Sequence, residues 1–187
     1  MLRWQGDAAV HASGGSVEIG VDTTVVPLRW ARSRSWLRSD GPDKSRTMLI
    51  TEEGGWIGRD GSSEKMPAPF YAHEHAQFAI YGLMLLAPLL ERGVRLRTGE
   101  AQGGLLALHA EHPAAPPTLL LFEPDGRLAE ALNQVPDAEG GADIPQRFIF
   151  SRDTVPGPVR WPRRLTLLQR GKPYFELALT RFEAARA

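Results

Sequence analysis

The stretch YAHEHAQFAIYGLMLLAPLLER, from Tyr71 to Arg92, decides how the rest of the chain is read. Between Ala76 and Leu90 nearly every residue is apolar, so a helix here keeps no polar stripe for water and belongs inside a protein. Over about 20 residues it would span roughly 30 Å. Arg92 suits the last-turn carbonyls and Gly93 a left-handed position just past the end. Gly82 lets a strand approach closely, and Pro88 removes one backbone bond near the C-terminus. The sequence on both sides of this helix reads as strand, so a sheet is expected to wrap it.

Ahead of the helix, Leu2, Trp4, Ala8 and Val10 lead into the turn Ser13-Gly14-Gly15-Ser16, after which Val17, Ile19 and Val21 alternate with Glu18, Gly20 and Asp22. This alternation predicts a hairpin with one face buried. From Val25 to Arg38 the strand pattern continues, with Trp30, Arg32, Arg34, Trp36 and Arg38 on one side and Ala31, Ser33, Ser35 and Leu37 on the other. Arginine stems covering tryptophan rings on a solvated face are the expectation for that ladder. Thr47 to Ile50 and Trp56-Ile57 flank Glu52-Glu53-Gly54-Gly55 as a second hairpin, which ends at Asp60-Gly61.

After the helix come Val94 to Arg97, Leu105 to His109 and Thr118 to Phe122, the last followed by the turn Pro124-Asp125-Gly126. Arg127 to Val135 fits both a strand and a helical period, and the turn before it favours strand. Arg147 to Phe150 is a short strand, and Arg164 to Gln169 with Tyr174 to Phe182 forms a closing hairpin around Arg170-Gly171-Lys172-Pro173. The expected fold is α+β and mostly β: one domain over residues 1–187, a strongly curved antiparallel sheet forming an unclosed β-barrel packed around a long apolar helix.

With 22 basic and 22 acidic side chains spread along the chain, there is no cationic field to recruit nucleic acid. The absence of cysteine excludes disulfides, thiol catalysis and cysteine-ligated metals. No apolar run reaches the roughly 20 residues that span a bilayer, so no stable membrane insertion is expected. Met1 leads almost at once into a strand pattern without an export signal, a start shared by cytosolic proteins and by mature fragments of exported ones.

His73-Glu74-His75 is the first place to look for a metal, but on a helix two residues apart diverge by about 200°. The H-E-x-x-H spacing of helical zinc hydrolases is missing, so these histidines are expected to pack or cap. Neither a G-x-S-x-G elbow nor a phosphate loop is present. No catalytic residue, metal or cofactor is therefore expected. What remains is a surplus of apolar bulk on the helix and its approach: Phe70, Phe78, Tyr81, Met84 and Leu85, with Trp30 and Trp36 from the ladder, are the candidate ligand-binding residues. The expected ligand is a hydrophobic small molecule or acyl chain held between sheet and helix. A protein-interaction or envelope-structural domain with a filled core is the alternative, and a hydrolase using His73 or His75 a distant third.

The order of elements resembles the outer-membrane lipoprotein carrier superfamily, the LolA/LolB-like half-barrels. The resemblance is carried by the Gly54-Gly55-Trp56 and Arg59-Asp60-Gly61 turns, a helical lid segment before the middle strands, the Glu123-Pro124-Asp125-Gly126 hairpin, and the closing Pro162-Arg163-Arg164-Leu165 and Gly171-Lys172-Pro173-Tyr174-Phe175 segments. It implies an unclosed barrel covered by helices, a periplasmic location, and a non-catalytic role in holding acyl chains or other hydrophobic molecules. An envelope protein is a further expected partner.

Overall fold

The computed structural model describes residues 1–12, 14–59, 61–101 and 103–185. In chain order the strands before the helix are β1 (Leu2–Ala12), β2 (Gly15–Val26), β3 (Trp30–Leu37), β4 (Arg46–Thr51), β5 (Gly54–Arg59) and β6 (Ser62–Lys65). Helix α1 (Ala68–Leu83) follows. Then come β7 (Arg95–Thr98), β8 (Leu106–Glu111), β9 (Thr118–Phe122), β10 (Leu128–Val135), β11 (Ile144–Phe150), β12 (Thr154–Val155), β13 (Trp161–Pro162), β14 (Arg164–Gln169) and β15 (Lys172–Ala184).

Thirteen of these strands form one sheet in the order β6-β5-β4-β3-β2-β1-β15-β14-β11-β10-β9-β8-β7, with β12 and β13 as a separate pair. Its ladders are antiparallel, and β6 and β7 are the two edges, so the sheet is unclosed as the sequence predicts. The chain termini meet in its middle, where β1 pairs with β15 from Leu2↔Ala184 to Val10↔Phe175. The closing hairpin turns through Arg170 (φ 49°) and Gly171 (φ 77°), two successive left-handed residues whose twist matches the flanking strands. Arg127 to Val135 resolves as strand, because β10 finds a partner on each side in β9 and β11. Ser13 and Asp60, expected in turns, lie outside the described residues.

The helix differs from expectation. It covers 16 residues, Ala68–Leu83, about 24 Å at 1.5 Å per residue, and does not continue to Arg92. Leu86 takes the left-handed conformation (φ 61°), and a separate 3-10 turn, Ala87–Leu90, follows with Pro88 in its first positions. The physical reason lies in Pro88: it disfavours helical geometry at the residue before it and offers no N–H to the ladder. Gly93 (φ 91°) therefore turns the chain beyond that 3-10 segment instead of terminating α1, and Leu90 is 86% exposed. Nor is α1 apolar all round. His73 and Glu74 are buried polar residues on it, His73 Nδ1 donates to the Pro136 carbonyl at 2.8 Å, and Gln77 Oε1 accepts from Gln146 Nε2 at 2.9 Å.

Helix α1 lies on the concave face of the sheet. Its C-terminal half is seated by Gly82, where a Cβ would come 2.8 Å from the Leu28 side chain in the β2–β3 turn. Tyr81 packs on Trp4 (5.0 Å between ring centroids), Trp4 on Trp161 (6.0 Å) and Trp161 on Phe182 (5.0 Å). With Leu83, Met84, Phe148 and Leu167 these rings form the main core. The N-terminal half of α1 is tied to the other flank, where His73 meets Pro136 and Ala76 packs with Val135 and Ile144.

Candidate functional site

Pairing registers show which side chains share the concave face. On β1 and β2, Leu2↔Val25, Trp4↔Thr23, Gly6↔Val21, Ala8↔Ile19 and Val10↔Val17 point the same way. The face continues through Ala31, Ser33, Ser35 and Leu37 on β3, and through Ile50, Met48 and Arg46 on β4. The helix covers only one end of this surface. Leu2, Trp4 and Val25 are 2–3% exposed, whereas Val17 and Leu37 at the other end are each 45% exposed. The inner face of the first hairpin, expected to be the buried one, is thus buried along only part of its length.

The uncovered end is a trough of about 630 Å³ lined by Val10, Val17, Ile19 and Leu37, with Lys44, Arg46 and Arg59 at its sides. That volume lies within the ~300–1,000 Å³ range of ligand sites. Asp40 and Ser35 complete its polar lining. By contrast, the cleft between the β2–β3 turn and α1, lined by Leu28, Trp30, His75, Phe78 and Ala114, holds only about 20 Å³. That is room for about one water molecule, since roughly 10–15 Å³ of such space holds one, so no acyl chain fits there without movement. A second large depression, of about 600 Å³, adjoins β8–β11 and is lined by polar groups of both sheet faces, including Arg97, His109, Glu111 and Asn133. Arg97 is already engaged with Glu111 at 3.5 Å.

Where the trough meets the first turns of α1, the guanidinium of Arg46 lies 5.9 Å from the centre of the Phe70 ring. One turn along the helix is Glu74. Burial pushes its carboxyl up to about 7, and the positive charge of Arg46 pulls in the opposite direction. Burial also raises the phenols of Tyr81 and Tyr174, with the Glu74 charge adding to both. Arg46, Glu74, Tyr81 and Tyr174 are therefore one electrostatic group between helix and sheet. What it can do chemically is hold charge: a fixed cation, a carboxyl that titrates near neutrality, and two phenols that stay protonated.

The predicted ligand-binding residues fall in distinct places. Phe70 is half-buried at the margin of the trough beside Arg46, and Phe78 packs on Tyr81 (5.6 Å). Tyr81 and Met84 are buried in the main core, with Leu85 packed against it. Trp30 borders the narrow cleft. Trp36 contributes to the trough wall, but its ring lies across Gly20, with which it is paired and where a Cβ would collide with it. The expected stacking of arginines on the tryptophan ladder takes another form: Arg34 donates to Ser45 Oγ (2.9 Å) and the Pro42 carbonyl (3.2 Å), and among the described residues it is Arg46, on the inner face, that lies over an aromatic ring. Sequence reasoning missed Lys44 and Arg46, which carry no motif, and had Arg59 in view only as the first residue of the Arg59-Asp60-Gly61 turn. Glu74 was in view only as the centre of His73-Glu74-His75.

Searches by sequence return no matching family model and no matching curated protein. Solved structures do match, and over nearly the whole chain. The putative outer membrane lipoprotein-sorting protein domain from Vibrio parahaemolyticus aligns with a TM-score of 0.57 at 9% identity, covering 97% of this chain and 83% of its own. A LolA superfamily protein from Nitrosomonas europaea aligns at 0.57 and 11% identity, over 99% and 87%. The chain has the LolA-like fold. A DUF1329 family protein from Desulfovibrio piger shares it, with a TM-score of 0.58 at 9% identity over 97% and 84%. The half-barrel inferred from the order of turns and strands is thus the observed architecture, reached by a sequence with about one residue in ten in common with these LolA-like structures.

Proposed function

We propose that this protein is a non-catalytic carrier or binding protein for a lipid, a lipoprotein acyl chain or another hydrophobic ligand, and that it works in the periplasm. The observation that carries the reading is the trough: the concave apolar face continues past the helix as an open surface formed by Val10, Val17, Ile19 and Leu37. Burying such side chains against an acyl chain contributes roughly 0.8 kcal/mol per CH₂ removed from water. The LolA-like fold supports the same reading, since the Vibrio parahaemolyticus neighbour is described as a lipoprotein-sorting domain. Phe70, beside Arg46, would be the first helix residue an incoming chain meets.

The test is organic extraction of the protein purified without detergent, with mass spectrometry of the extract, alongside titration with a neutral apolar dye. Co-purified acyl-containing molecules, or dye binding at micromolar concentration, are the expected results. An empty extract together with no dye binding would sink the proposal. Fractionation of cells expressing the full-length gene product tests the compartment, with recovery in the periplasmic fraction expected.

The partner-docking alternative has one observation in its favour. Leu86 and Leu90 stand exposed on the 3-10 turn after α1, beside the buried Pro88 and Leu89. On that reading the protein holds no lipid, and an envelope protein covers those leucines.

A further inference from the structure

We infer that the trough selects amphiphiles with an anionic head group, a phosphate or a carboxylate on an acyl chain, and that Arg46 receives the anion; this rests on the carrier reading above. The inference begins with where the arginine points. Arg46 pairs with Ser35 across β3 and β4, on the same face as the buried Ala31 and Ile50, so its side chain enters the concave interior. Some arginines of the outer face are matched to carboxylates on neighbouring strands, as in Arg3 with Asp22 (2.8 Å) and Arg147 with Glu130 (2.8 Å), and Arg34 is held by Ser45 Oγ and the Pro42 carbonyl. Arg46 makes no such ion pair among the described residues; its neighbours are the Phe70 ring and the protonatable carboxyl of Glu74.

A guanidinium set beside apolar walls and short of a full complement of acceptors favours a ligand that supplies them. Phosphate and carboxylate match its planar fork and accept two parallel hydrogen bonds. Lys44 and Arg59 line the same trough, so cations outnumber acids among its described lining residues, where Asp40 is the acid and its carboxylate accepts from Ser39 Oγ (3.1 Å). Val10, Val17, Ile19 and Leu37 then take the chain while the cations take the head. Chain and head are thus read by adjacent parts of one surface.

The test uses the whole protein, the neutral dye N-phenylnaphthylamine, and two competitors that share one chain: cetyl phosphate and cetyl alcohol. Cetyl phosphate is expected to displace the dye at about tenfold lower concentration than the alcohol, as one charge-assisted contact allows. Added salt should weaken the phosphate and leave the alcohol unchanged. Arg46→Met should bring the two displacement curves together, and the comparison in the native protein decides the matter even if that variant fails to fold. Palmitate displacing as well as cetyl phosphate identifies the shared negative charge as the recognised feature; displacement by cetyl phosphate alone among the three identifies phosphate. Equal displacement by cetyl phosphate and cetyl alcohol in the native protein would overturn the anion preference while leaving the carrier reading standing. Absence of any dye binding or displacement would overturn both.

Discussion

Strands β1 and β2 carry mainly apolar residues along one face, yet the two ends of that face lead different lives. At one end Leu2, Trp4 and Val25 are sealed under α1 and the Trp161–Phe182 stack. At the other, Val10, Val17 and Ile19 point the same way and meet a trough. The residue types are alike, so period-two alternation tells which side of the sheet a residue takes and nothing about whether an element covers it. Cover is decided by the length and placement of α1, and both depend on contacts far away in sequence: Leu28 under Gly82 at one end of the helix, Pro136 against His73 at the other.

The largest effect should come from breaking the covered end. Met84 is 8% exposed and belongs to the main core, so Met84→Asp removes its packing and buries a carboxylate beside a small pocket that Arg127 and Arg160 also line. A loss of about 4 kcal/mol or more is expected in urea unfolding. A loss below about 1 kcal/mol would mean that water reaches Met84 and that the covered end is not sealed.

Glu74 marks the boundary between the ends, and pH reads it. Its folded value of about 7 lies above the ordinary 4.5, so the folded state holds this proton more tightly than the unfolded chain. Its stabilising contribution is full below about pH 4.5, is lost as pH rises to about 7, and does not change further above that. The expected loss across this window is roughly 3 kcal/mol at about 1.4 kcal/mol per pH unit. Glu74→Gln should remove this slope. Parallel stability profiles for the native protein and the variant would show that Glu74 is solvated and the boundary misplaced.

Gly82→Ala should act more modestly. The added methyl meets Leu28 Cγ at 2.8 Å and the Leu28 backbone nitrogen at 3.2 Å, so either the turn or the helix must shift. About 1–3 kcal/mol of destabilisation is expected, as for other overpacked sites, measurable by chemical denaturation. An unchanged midpoint would show that the helix C-terminus is not held by this turn.

How much of this was legible in the sequence follows from the same contrast. Hairpins announced by strong turn residues, such as Arg170-Gly171 and Pro124-Asp125-Gly126, were readable because a left-handed backbone position restricts the residues that can occupy it. The end of α1 was misplaced because leucines continue to Leu90 although the backbone stops being α-helical after Leu83; Pro88 was the available signal, and its effect reaches back to the residue before it. The candidate site was only half legible. Phe70 was named, but its partner Arg46 sits on a strand whose inward side is fixed by register with Ser35, and register depends on the whole sheet. An arginine at an alternating position reads as an outward residue until its neighbours are known.

The smallest effect on stability should come from the open end, and it carries the functional weight of the comparison. Val17→Ser changes a residue that is 45% exposed, so the unfolding free energy should move by no more than about 0.5 kcal/mol. If the trough is the ligand surface, removing that apolar contact should weaken binding of a neutral apolar dye by about fivefold, the equivalent of roughly 1 kcal/mol of lost burial. Stability and binding then separate in opposite senses at the two ends: Met84 governs whether the protein folds, Val17 how well it holds its ligand. A Val17→Ser protein that loses about 2 kcal/mol of stability, or that binds the dye unchanged, would erase the distinction, because Val17 would then be core like Trp4 or surface like any exposed valine.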